Sequence, residues 1–121
     1  MGYQLGIDLG TTYTAAAVHR DGRVAVVGLG DRAAVVPSVV FVREDADILT
    51  GEAANRRGFE EPDRVAREFK RRIGDTTPLY LAGAPWPAHL LMARLLRAVV
   101  ERVAEREGSY PEALAITHPA N

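Results

Sequence analysis

Between Pro87 and Gly108 the chain runs without another proline or glycine, and this stretch limits most sharply what the rest can be. Proline is tolerated in the first turn of a helix because its missing N–H would have no intrahelical partner there. Glycine readily takes the left-handed backbone just past a helix end. Leu91, Leu95, Val99 and Val103 recur on one line, Leu96 and Val100 widen it, and Arg94, Arg97, Glu101 and Glu105 take the opposite face. The spacing predicts one long amphipathic helix over 88–107, a core helix and not a membrane or partner helix. Its apolar face needs a sheet to pack on.

Strands for that sheet are visible at the N-terminus. Leu5, Ile7 and Leu9 alternate with Gly6, Asp8 and Gly10, and Tyr13, Ala15, Ala17 and His19 alternate with Thr14, Ala16 and Val18. A turn over 10–13 would join them as antiparallel neighbours. Asp21-Gly22 is a two-residue hairpin signal leading into a third strand at 23–27, which Gly28, Gly30 and Asp31 break. Extended structure resumes over 35–42, where Pro37 favours an edge or a kink. Residues 113–118 read as a short buried strand that extends the sheet. The expected architecture is therefore α/β: a mixed sheet of three antiparallel N-terminal strands plus one more, with the 88–107 helix packed over it.

The middle of the chain reads less directly. Residues 48–54 suggest a short strand feeding a helix, with Thr50 as its cap, Glu52 at its positive end and Gly58 as its stop. A second helix is expected from about Asp63, with Val65, Phe69 and Ile73 on its buried face and Gly74 beyond its end. Its other face would carry Arg64, Arg67, Lys70, Arg71 and Arg72, a solvated basic face with Glu68 four residues from both Arg64 and Arg72. Residues 75–86 read as loop with half of a small hairpin at 79–81, and Trp86 reads as a packing residue.

At 121 residues and 47% hydrophobic content there is room for one small packed domain. Cysteine is absent, which excludes a disulfide scaffold, a thiol nucleophile and a thiolate-bound metal, and fits a reducing compartment. A formal charge of −1 gives no electrostatic case for nucleic acid or an anionic membrane. No apolar run is long enough to cross a bilayer, and no basic segment followed by an apolar one opens the chain. Together these read as a cytoplasmic protein. His19 has no second ligand at metal spacing and reads as a strand-end residue. No paired carboxylates or Ser-His-Asp set offers a complete catalytic constellation.

Chemistry concentrates at the first turn. Gly10 lacks a Cβ, so the backbone can take angles other residues avoid and approach a ligand closely. The successive N–H groups of Thr11, Thr12 and Tyr13 would line the inside of the turn, and such nests hold anions, phosphate above all. The G-x-x-x-x-G-K-[ST] and three-glycine dinucleotide patterns are both absent. Two readings stand on these residues alone: a phosphate turn, or an ordinary glycine hairpin capped by Asp8.

The run Gly6-Ile7-Asp8-Leu9-Gly10-Thr11-Thr12-Tyr13 closely resembles the first phosphate loop of the seventy-kilodalton heat-shock chaperones, within the actin-like and sugar-kinase-like ATPase superfamily. Phe69-Lys70-Arg71-Arg72-Ile73-Gly74 resembles the segment of those chaperones in which the lysine of K-R-x-I-G reaches the terminal phosphate. The resemblance runs from Gly6 to Ala120 and implies a ribonuclease H-like, actin-type ATPase lobe. By it, 1–121 is an N-terminal lobe fragment with a shortened second-lobe insertion at 74–87, and the full-length parent binds ATP and magnesium. It further implies that Gly10, Thr11, Thr12 and Tyr13 hold phosphate, Asp8 orients magnesium through water, and Lys70 is catalytic. A charge beside the attacking water and γ-phosphate is what phosphoryl transfer requires. Unfolded polypeptide and co-chaperones are the partners implied for the parent. The isolated fragment, with half a cleft, is expected to be inactive and to self-associate. The family's V-P-A-Y after the last strand reads Thr117-His118-Pro119-Ala120-Asn121 here. An actin-like filament protein or a small-molecule kinase of the same superfamily are the other functions compatible with the first loop.

Overall fold

The computed structural model describes residues 2–29 and 35–117. Strands β1 (Gln4–Leu9), β2 (Tyr13–Arg20) and β3 (Arg23–Val27) form an antiparallel meander. As the alternation predicts, Leu5, Ile7, Leu9, Thr14, Ala16 and Val18 point inward, while Asp8 and His19 face out. Asp21 and Gly22 both take positive φ, 53° and 76°, the pair of angles that a right-twisted two-residue hairpin needs. His19 Nδ1 lies 3.3 Å from Gln4 Oε1 at the same end of the sheet.

Residues 35–42 divide at Ser38. Strand β4 (Val35–Pro37) pairs with the start of β2, and β5 (Val39–Val42) leaves for a second sheet, so Pro37 marks both an edge and a change of sheet. Gly30 and Asp31, two of the expected breakers, lie outside the described residues. The second sheet has the order β6-β5-β7, with β6 (Ile48–Thr50) and β7 (Val65–Arg67) antiparallel on either side of a fully buried β5.

That sheet overturns the helix expected from Asp63. Pro62–Arg64 makes one 3-10 turn, β7 follows, and Phe69–Arg72 makes a second 3-10 turn. The four-residue spacing of Val65, Phe69 and Ile73 is coincidental: Val65 packs in the cluster of Phe41, Ala66 in that of Val40, and Ile73 is 44% exposed. Buried β5 needs a ladder partner on each edge, and satisfying those backbone groups outweighs local helix propensity. Glu68, at φ 52°, breaks the extended chain between β7 and the second turn. The basic residues accordingly do not share one solvated helix face, and Glu68 pairs with Arg71 at 3.7 Å, not with Arg64 or Arg72.

Helix α1 (Gly51–Glu60) also runs past its expected stop. Thr50 occupies the N-cap position with extended backbone, yet its hydroxyl makes no capping bond, and Glu52 lies in the first turn. The residues α1 buries are all small, Gly51, Ala54 and Gly58, so its backbone approaches the second sheet closely. A Cβ on Gly58 would lie 2.7 Å from Val65 Cγ2 and 2.7 Å from Arg67 Nη2. Gly58 is therefore a packing glycine inside the helix.

The hairpin β8 (Leu79–Leu81) and β9 (Ala84–Trp86) precedes the long helix α2 (Ala88–Glu107), which starts after Pro87 and ends at Gly108 with φ 85°, as the sequence indicates. Trp86 packs at the edge of the core. Val99 and Val103 of α2 close a core over the first sheet with Tyr3, Leu5, Ile7, Ala16, Val18 and Val27. Leu91, Met92 and Leu95 close a second core with Leu9, Val40, Ala66, Phe69 and Leu81. No helix is long and apolar enough to cross a membrane among the described residues.

Strand β10 (Ala113–Thr117) adds to β1 in parallel, with Leu114 beside Leu5 and Ile116 beside Ile7. It is not buried as expected; all five residues are exposed, because β10 forms the edge of the sheet beyond the strands that α2 covers. His118, and the Pro119, Ala120 and Asn121 that follow, lie outside the described residues.

The close approach at Gly58 is testable. Alanine favours a helix interior over glycine by about 1 kcal/mol, but forcing a methyl group against Val65 costs about 1–3 kcal/mol. Gly58→Ala should therefore lower the midpoint of urea unfolding, and a raised midpoint would mean that the helix and β7 are less tightly packed than described.

Candidate functional site

The 10–13 turn is held from below by a buried hydroxyl. Ser38 Oγ donates to the Gly10 carbonyl at 2.9 Å and lies 2.8 Å from Thr14 Oγ1. A hydroxyl has one proton, and that of Ser38 is committed to Gly10, so the Thr14 hydroxyl is the donor of the second bond. Both residues are buried, at 2% and 0% exposure, where an unpaired hydroxyl would be costly. The Ser38 backbone N–H donates to the Thr12 carbonyl at 2.8 Å, and the Gly10 N–H donates to the Tyr13 carbonyl at 3.0 Å. The carbonyls of Gly10, Thr12 and Tyr13 are thus each engaged by a protein donor. Gly10 is required for a reason different from the expected one. Its φ is not left-handed, but a Cβ there would lie 2.4 Å from the Tyr13 carbonyl oxygen.

Thr11, Thr12 and Tyr13 line a cleft of about 130 Å³ whose other walls include Asn55, Arg67 and Glu68. Thr11 is buried and Thr12 and Tyr13 are exposed. Asp8, at the end of β1, is exposed outside that cleft, with the Thr117 hydroxyl 3.3 Å from its Oδ1 and 3.5 Å from the Ile7 carbonyl. The parallel register of β10 brings this contact about, setting Thr117 opposite Asp8.

Lys70 is half-buried in the 3-10 turn Phe69–Arg72 and, like Asp8, does not line the cleft. Its turn is anchored by Phe69, 1% exposed, in the same core cluster as Leu9 from the last position of β1. The two stretches singled out in the sequence are therefore fixed to one core. Arg67, two residues before Phe69, donates from Nη1 to Asn55 Oδ1 and from Nη2 to the Asn55 carbonyl at 3.1 Å. Its guanidinium carbon lies 4.7 Å from the Phe59 ring centroid.

Sequence reasoning missed Ser38, Thr14, Arg67 and Asn55. Thr14 carried a signal, a hydroxyl on the buried face of an otherwise apolar strand, which must have a partner inside. Nothing local to Arg67 or Asn55 pairs them. Among the described residues no group of three or more His, Cys, Asp or Glu side chains is placed to enclose a metal ion.

These features agree with what known proteins resemble the chain. The family model described as Hsp70 protein matches residues 4–80, which takes in the 10–13 turn, Ser38, Arg67 and Lys70. The chaperone protein DnaK of Elusimicrobium minutum (strain Pei191) is 32% identical over 120 residues, covering 96% of this chain and 19% of its own length. The chain thus spans about a fifth of the length of that curated relative. The mixed sheet with its packed helices is the α/β lobe that the resemblance implies. On the match of most of its length to the family model and on its identity to DnaK, the chain belongs to the Hsp70 family.

Proposed function

We propose that this chain is the phosphate-binding N-terminal part of a cytoplasmic chaperone ATPase that binds and hydrolyses ATP to drive a conformational cycle in protein folding. The observation that carries the reading is the 10–13 turn, strapped by Ser38 and lying within the stretch that matches the Hsp70 family model, with Leu9 just before it in the same core cluster as Phe69 of the turn bearing Lys70. The amides of 11–13 donate to oxygens of the β- and γ-phosphates. Lys70 neutralises charge on the terminal phosphate while water attacks its phosphorus and the bond to the β-phosphate oxygen breaks. Unfolded polypeptide and co-chaperones are the partners this reading implies for a protein of the relative's length.

Magnesium fits the oxygen chemistry present. The ion keeps several waters and takes few protein carboxylates beside the substrate phosphates, and Asp8 offers one exposed carboxylate at the end of β1. Bound there through water, magnesium would offset phosphate charge. Asp8 supplies the acceptor that orients its water shell, and Thr117 steadies the carboxylate.

Three tests follow from these roles. In a protein of the relative's length, Lys70→Ala should lower the hydrolysis rate by about a hundredfold or more while ATP binding survives; unchanged single-turnover rates would remove Lys70 from catalysis. Ser38→Ala leaves the Gly10 carbonyl and Thr14 hydroxyl buried without their partner, at a cost of about 1–3 kcal/mol. Adding Thr14→Val should restore part of the lost stability, because it removes one of the two orphans. Equal losses from the single and double variants in urea titrations would show that the strap does not act as a unit.

The 121-residue chain alone should bind Mg·ATP only weakly and hydrolyse none, since a triphosphate held at one turn stays open to water that screens Lys70 and Asp8. The uncharged edge of β10, with Leu114 and Ile116 47% and 40% exposed, should make that chain self-associate. Calorimetry beside sedimentation checks both; micromolar binding or a clean monomer at high concentration contradicts the corresponding half.

A further inference from the structure

Four arginines around the second sheet are paired with carboxylates. Arg57 and Arg64 pair with Glu61, Arg71 with Glu68, and Arg72 with Asp75. Arg67 meets only neutral groups: the Asn55 side-chain oxygen, the Asn55 carbonyl and the face of Phe59. Among the described residues no carboxylate lies within ion-pair distance of it. Hydrogen bonds to amide oxygens hold a guanidinium in place without cancelling its charge, and two of them with an aromatic face leave little rotational freedom. The result is a positioned cation with donors to spare.

Arg67 lines the same cleft as Thr11, Thr12 and Tyr13. On the turn side, three carbonyls are already engaged by protein donors, as described above. The one acidic wall residue, Glu68, is tied to Arg71 at 3.7 Å and holds a left-handed backbone at φ 52°. A left-handed non-glycine residue is strained and persists where the surroundings impose it. Here it ends β7 immediately after Arg67 and turns Phe69 into the core. The cleft, at about 130 Å³, has room for a phosphate group.

We propose that Arg67 and the 11–13 turn form an oxyanion subsite that takes a phosphate group, with Asn55 as the residue that positions the guanidinium. The inference rests on the nucleotide reading for its biological ligand and adds to it a binding residue outside the Lys70 segment. Arginine suits the role because its planar fork can give two parallel N–H bonds to one phosphate. Asn55 suits its own role because it is neutral: a carboxylate there would hold Arg67 equally well and cancel its charge.

Amide and arginine side-chain NMR signals of the 121-residue chain are followed during titration with inorganic phosphate, and separately with tripolyphosphate, at ionic strength matched with chloride. Saturable shifts at Thr11, Thr12, Tyr13 and the Arg67 Nε–H are expected, with millimolar affinity. Arg67→Gln should weaken binding at least tenfold, and Arg67→Lys should recover only part. Asn55→Asp should keep the fold, with an unchanged or higher thermal midpoint, yet lose phosphate binding by a similar factor. Tighter binding of tripolyphosphate assigns the subsite to the nucleotide's phosphate chain, and tighter binding of inorganic phosphate assigns it to the released product. Shifts reproduced by chloride, or an Asn55→Asp variant that binds phosphate as the unaltered chain does, overturn the subsite. Hydrolysis in Lys70→Ala is an independent readout: a defect there beside a failed titration sinks the subsite and leaves the nucleotide reading standing.

Discussion

Helix α2 closes two cores at once, and the arrangement of the other elements follows from that. Val99 and Val103 complete the core over the first sheet, while Leu91, Met92 and Leu95 complete the one that contains Phe69 and Leu9. Leu96 packs against both. A helix of this length spans about 30 Å, so a single rigid rod sets the distance between the two cores. Leu9 ends β1 in the second core while Leu5 and Ile7 lie in the first, and the 10–13 turn therefore emerges where the cores meet. Each fully buried aliphatic side chain on that line contributes about 1.5–3 kcal/mol, so the rod's apolar face is a substantial source of order near the site.

At this junction the chain changes sheets, and the change explains the polar strap. Ser38 falls between β4, which belongs with β2, and β5, which belongs with β6 and β7, so it takes part in neither ladder. Its N–H and hydroxyl are consequently available to other partners, and both go to the turn. A polar residue inside a buried junction is stable only when fully paired, and the same pairing that satisfies Ser38 gives the turn one conformation. Preorganisation of this kind matters for anion binding, because donors already in place lose no freedom when the ligand arrives.

Legibility in the sequence tracked how local the deciding forces are. The bounds of β3 and α2 and the inward and outward residues of β1 and β2 could be read residue by residue, since alternation, helical spacing, Asp21-Gly22, Pro87 and Gly108 all act within a few positions. Residues 65–67 could not, because β5, more than twenty positions earlier, decides that they are a strand. Gly58 was misread for a related reason: its neighbour Val65 comes from another element, and only the packed structure shows that a methyl group has no room. For the site, the 10–13 turn and the Lys70 segment were legible as motifs. Arg67 was legible only as one of several basic residues, since its neutral surroundings come from Asn55 and Phe59 on α1.

The parallel pairing of β1 with β10 also bears on the order in which the chain folds. β1 meets β2 through a turn of a few residues, whereas 110 residues separate Ile7 from Thr117. Local hairpins form within microseconds, but a contact of such separation must first meet the entropy of closing a long loop. On a growing polypeptide the meander can therefore assemble early with one side of β1 unsatisfied, and the last strand can dock only after α2 has emerged. The Thr117 hydroxyl reaches Asp8 by that late event alone. Completion of the carboxylate's surroundings thus reports on completion of the whole lobe, and a chain stalled before β10 would display a formed turn beside an unfinished acidic position.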